Sequence, residues 1–130
     1  SVCDSFVTSL KFVKKDRGRA WEFIQPYFES DRTYDIRFAA VMSLAYFKDG
    51  EYAPRVFEKF DRIENDDYYV KMAVAWAVSV FFVNAREETR RYLENNRLDD
   101  FTFNKSLQKI TESYRVTPQD KAEIRAMKRK

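Results

Sequence analysis

The chain has 130 residues, 45% of them hydrophobic and 35% charged, with a formal net charge of +3. That length suits one domain, here 1–130, and the balance suits a packed core under a polar surface rather than a disordered tail. There is no His and a single Cys, Cys3, which excludes Ser–His and Cys–His nucleophile pairs, His-borne proton shuttles, His-based metal sites and an internal disulfide.

Only 2 Gly and 3 Pro occur. A sheet-rich chain of many tight turns needs more of both, so helices joined by short polar loops are expected. The most apolar run, 70–83, is interrupted by Lys71 and Ser79 and falls short of the roughly 18 residues of a membrane span. A cytoplasmic protein is expected, with no membrane partner, no metal and no cofactor.

Apolar residues recur at helical spacing from the start of the chain. The first segment, 2–14, opens on Ser1-Val2-Cys3-Asp4-Ser5-Phe6 without an initiator Met, and reads as the beginning of a piece of a longer protein. The next segments are 18–29, 33–47 and 52–62, followed by an acidic stretch over 58–67. Segment 67–84 is the most apolar, and 87–95 and 101–112 follow. In the last, 118–128, Thr117 stands as N-cap before Pro118, with Asp120 at the positive end of the helix dipole. From Phe101 onward the chain is basic.

These segments pair into helical hairpins, and the chain repeats. Ile36-Arg37-Phe38-Ala39 matches Val70-Lys71-Met72-Ala73 at a step of 34 residues, and Asn104-Lys105-Ser106-Leu107 continues it. Such a period means stacked helix pairs that bury their apolar faces on one another. The step is also that of tetratricopeptide repeats, but their framework of small residues and Pro is not supplied, and short HEAT-like hairpins fit better. An all-α superhelix of antiparallel hairpins is expected. Helices starting near Val2, Thr33, Asp67 and Phe101 would share the concave layer, and those carrying Trp21, Phe57 and Tyr92 the convex one.

In such a stack Arg37, Lys71 and Lys105 form a ladder, with Lys109 one turn further on, and a ladder of cations suits a phosphate backbone. The other reading is a set of ordinary solvated positions. The aromatic residues Phe23, Tyr27, Phe28, Phe57 and Phe60 fall at helix-packing spacing and read as core.

Three segments carry a family resemblance: Tyr34-Asp35-Ile36-Arg37-Phe38-Ala39-Ala40-Val41-Met42, the run from Tyr68 to Ala77, and the run from Asn104 to Val116. They resemble the DNA alkylation repair family, AlkD-like DNA glycosylases built of HEAT-like repeats. Cys3-Asp4-Ser5-Phe6 resembles the family's catalytic helix, where a Trp stands four residues before an Asp; that Trp would precede Ser1. The resemblance spans essentially the whole chain and implies the C-terminal part of a longer enzyme. It implies Asp4 as the catalytic carboxylate, Trp76 as an aromatic of the active-site cleft and Arg37 as a basic residue near the DNA; Lys71, Lys105 and Lys109 extend that set through the repeat.

The implied activity is excision of N3- or N7-alkylated purines from double-stranded DNA by hydrolysis of the N-glycosidic bond, by a monomer. The alkylated purine is already cationic and leaves readily, so a carboxylate that opposes an oxocarbenium-like sugar and orients water suffices. An indole face adds attraction to the same cation. On their own surroundings Trp76 reads as core and Asp4 as a helix cap. The alternative function is a non-catalytic helical scaffold that binds DNA or protein.

Overall fold

The computed structural model describes residues 17–129. Every regular element among them is an α-helix: α1 (Arg17–Phe28), α2 (Thr33–Tyr46), α3 (Ala53–Asp61), α4 (Tyr68–Asn84), α5 (Arg86–Glu94), α6 (Asp100–Thr111) and α7 (Pro118–Ala126). The expected segment 2–14 lies outside the described residues. The other expected segments coincide with these helices to within a residue or two at either end.

Local chemistry sets the starts. The Asp67 side chain accepts from the Tyr69 N–H at 2.8 Å and the Asp99 side chain from the Thr102 N–H at 3.1 Å, each satisfying one of the donors a helix leaves open at its N-terminus. Thr117 does the same for α7, accepting from the Asp120 N–H at 3.1 Å. Pro54 and Pro118 occupy the first turns of α3 and α7, where the missing N–H is harmless.

Helices α2, α4 and α6 pack side by side as one layer, with α1 against α2, α5 against α4, and α7 against α6. The N-terminal turns of neighbours meet within the layer: Arg37 of α2 lies over Tyr69 of α4, and Tyr68 of α4 meets Phe101 of α6. The three inner helices therefore run parallel. Behind them α3 packs on α5, and aromatic rings knit this second layer. Phe28 of α1 meets Phe60 of α3 at 6.1 Å, while Phe57 of α3 stacks flat on Tyr92 of α5 at 4.2 Å and stands edge-on to Phe81 of α4 at 5.3 Å.

A single hydrophobic cluster runs from Ala20 to Ile124. Its members follow the helical period, as in Ala73, Val74, Ala77, Val78 and Phe81 of α4. Burying a side chain as large as Phe81 is worth about 1.5–3 kcal/mol. Of the aromatics read as core, Phe28, Phe57 and Phe60 are buried and Tyr27 packs on the cluster, whereas Phe23 is 47% exposed. The buried face of α1 is Ala20, Trp21, Ile24 and Phe28, and Phe23 falls on its flank.

Polar links join successive hairpins at close to one repeat of separation. Asn65 donates to the Asp31 carbonyl, Arg97 N–H to Asp61, and Arg86 to Asp120, across separations of 34, 36 and 34 residues. The repeat is thus a pattern of contacts as well as of sequence.

The burial pattern refines the register. Ile36, Ala39, Ala40 and Ser43 on α2 correspond to Val70, Ala73, Val74 and Ala77 on α4, a step of 34 residues. On α6 the equivalent buried set is Phe103, Ser106, Leu107 and Ile110, a step of 33. One residue rotates a helical position by about 100°. The structural partner of Arg37 and Lys71 on α6 is therefore Asn104, while Lys105 occupies the position of Met72 and Lys109 that of Trp76.

Candidate nucleic-acid interface

Arg37, Lys71 and Lys105 gather in the first two turns of the inner-layer helices, joined by aromatic rings, whereas Lys109 lies in the last turn of α6. The Arg37 guanidinium lies 5.5 Å from the Tyr69 ring centroid. Tyr69 meets Tyr68 edge-on at 5.6 Å, and Tyr68 meets Phe101 at 5.9 Å. The ammonium groups of Lys71 and Lys105 lie 5.9 and 5.8 Å from the centroid of that same Phe101 ring. All three rings are exposed, so the row alternates cations with flat apolar surface.

The cations differ in their surroundings. Arg37 is exposed and forms no ion pair among the described residues. Lys71 is shared between Asp66 Oδ1 at 3.7 Å and Asp99 Oδ2 at 3.6 Å, too long for good hydrogen bonds and short enough to offset much of its charge. Burial pushes the Asp99 carboxyl up, but hydrogen bonds from the Thr102 hydroxyl and N–H, together with Lys71, hold it below the ordinary carboxylate range. Lys105 donates to Gln108 Oε1 at 3.0 Å. Lys109 is half-buried on α6.

Trp76 is 47% exposed on α4. Its neighbours in sequence would place it in the core; instead it shares the open face of the helix with Tyr69 and Met72, three and four residues apart. Register places Lys109 at the corresponding point of α6. Asp4 lies outside the described residues, so its placement against Trp76 is not part of the described structure.

Sequence reasoning left Tyr68, Tyr69 and Phe101 without a role. Two adjacent aromatics at a helix start, just ahead of the apolar stripe that begins at Val70, were the available signal,. At the joint after α6, Glu112 accepts from Gln108 at 3.0 Å, and the Ser113 hydroxyl accepts from the Arg115 N–H at 3.2 Å.

Chemically the row can meet phosphates with its cations and sugars or bases with its rings. The parallel N-terminal turns add the positive ends of three helix dipoles, although Asp67 and Asp99 already engage some of the free N–H groups,. Among the described residues no cluster of His, Cys, Asp and Glu could hold a metal, and no helix is long and apolar enough to cross a membrane. No protein-family model, no curated protein and no solved structure matches this chain.

Proposed function

We propose that this chain is a DNA-repair unit that holds double-stranded DNA along its inner layer and takes part in excising N3- or N7-alkylated purines. The observation that carries the reading is the row in which Arg37, Lys71 and Lys105 are threaded by exposed Tyr69, Tyr68 and Phe101. Cations at phosphate-binding positions give affinity, and exposed rings beside them suit an opened or distorted nucleotide. The protein acts as a monomer, without metal or cofactor.

The hydrolytic step rests on the resemblance to the DNA alkylation repair family. Asp4 opposes the charge that develops on the sugar as the purine leaves and orients the attacking water, while the Trp76 indole lends its face to the cationic base or sugar. Release of 7-methylguanine from alkylated duplex DNA by the protein tests this. An Asp4→Asn variant is expected to lose base release; unchanged release removes Asp4 from the mechanism.

A non-catalytic scaffold that binds DNA or protein through the same face is the second reading. The carboxylates of Asp66 and Asp99 around Lys71 favour it, because they lower the positive charge of the row.

A further inference from the structure

We infer that the groove between α6 and α7 is a second ligand site, one that takes a phosphomonoester of nucleotide size. It adjoins the end of the inner-layer row and shares Phe101 and Lys105 with it, whereas Leu107, Gln108, Thr111, Arg125 and Lys128 belong to the groove alone.

The groove has a volume of about 590 Å³, within the range of small-molecule sites. Phe101 and Leu107 supply apolar wall, Gln108 and Thr111 neutral polar groups, and Lys105, Arg125 and Lys128 three positive charges; no carboxylate lines it. Cations nearby have acids beside them: Arg86 and Arg90 of α5 pair with Asp120 and Glu123 of α7, and Arg129 pairs with Asp100 of α6. Lys105, Arg125 and Lys128 form no ion pair among the described residues.

The segment after α7 is latched in place. Asn104 accepts from the Arg129 N–H and donates to the Arg129 carbonyl, both at 2.9 Å. The Arg129 guanidinium lies 4.1 Å from the Phe103 ring centroid and donates to the Leu98 carbonyl at 2.7 Å and to Asn96 Oδ1 at 3.1 Å. This latch draws the tail against α6 and sets Lys128 in the groove wall beside Arg125.

Three like charges around one groove repel; Glu112 touches the groove only through Gln108, and no carboxylate pairs with any of the three to offset them,. A phosphate would, with the Arg125 fork and two ammonium groups as donors. Inorganic phosphate fills only a fraction of this volume, and the apolar wall of Phe101 and Leu107 suits the flat ring of a nucleoside. The ligand is therefore a nucleotide unit bearing a terminal phosphate, either free or at the 5′ end of a strand.

Calorimetric titration of the protein with adenosine 5′-monophosphate, adenosine and inorganic phosphate tests this. Saturable binding of the monophosphate is expected, about tenfold or more tighter than adenosine. An Arg125→Glu/Lys128→Glu variant should weaken it about tenfold or more while Arg37→Ala leaves it unchanged. Both groove residues are exposed, and an Arg125→Gln/Lys128→Gln variant gives the same reading without charge reversal. Competition by a 5′-phosphorylated oligonucleotide, and not by its unphosphorylated twin, assigns the site to strand ends; competition by neither assigns it to free nucleotide. No saturable binding, equal binding of adenosine and its monophosphate, or undiminished binding by the double variants overturns the inference.

Discussion

Arg86 and Asp120, 34 residues apart in the chain, meet as a two-pronged pair: Nε donates to Oδ2 at 2.9 Å and Nη2 to Oδ1 at 2.6 Å. The pair ties the first turn of α5 to the first turn of α7, so it holds the last hairpin to its neighbour. Its geometry is the planar fork that makes Arg–carboxylate contacts specific. The hydrogen bonds from Arg86 outweigh the upward push of burial and, with its charge, keep the Asp120 carboxyl below the ordinary range.

That depression sets the sign of a pH dependence. A carboxyl lowered on folding contributes stability above its unfolded value, about 3.9, and loses it as pH falls through the folded value. Asp49, held down by its hydrogen bond to Arg17, and Asp99 act in the same direction. The thermal midpoint followed by circular dichroism should be flat near neutrality and fall below about pH 4. Asp120→Asn should lower it at pH 7, with the gap closing as pH falls through the folded Asp120 value; superimposable curves would mean the pair adds nothing.

The flat stack of Phe57 on Tyr92 makes two core substitutions unequal. Phe57 is 4% exposed, and Phe57→Ala should cost about 3–5 kcal/mol through lost burial and a cavity. Tyr92→Phe keeps the stack and removes only the hydroxyl that donates to Asp61 at 2.8 Å. Urea denaturation should put its cost at about 1.5–3 kcal/mol, the range for a hydrogen bond to a charged group. Equal costs would show that the ring stack is not what holds α3 on α5.

Within the row, the surroundings of each cation predict unequal roles in DNA binding. Arg37→Ala and Lys105→Ala should each reduce the salt slope of duplex binding by about 0.9, the value for one phosphate contact. Lys71→Ala should reduce it less, because Asp66 and Asp99 already share that charge. Fluorescence anisotropy over a salt series measures all three, and unchanged slopes would mark the row as a solvated face.

The two tryptophans should report separately. Trp21 is 7% exposed and Trp76 is 47% exposed, so iodide should quench mainly Trp76. Duplex DNA should protect it if the open face of α4 is covered on binding. Trp76→Phe should shift stability by less than about 1 kcal/mol, as substitutions away from the core do. Quenching that DNA leaves unaltered would place the bound duplex elsewhere.

The all-helical fold was legible in the sequence because its signals are local. Apolar spacing, the cap at Thr117, and the scarcity of Gly and Pro each act within a few residues, and together they specify helices and their pairing. The 34-residue step likewise announced a stack, since hairpins with similar faces bury them on one another.

The site depended on what the helices do to each other. The step shortens to 33 residues at α6, and one residue turns Lys105 from the position of Lys71 to that of Met72. Sequence matching, blind to rotation, aligned the wrong side chain. Whether Lys71 stands free or between Asp66 and Asp99, and whether Trp76 faces the core or the open side of α4, is decided by which neighbour covers each face. Asp66 is local to Lys71, but Asp99 and the helices that flank α4 lie about one repeat away in the chain, and only packing brings them to bear: the sequence by itself determined the helices and their stacking, and the tertiary structure decided which charges and rings they leave uncovered.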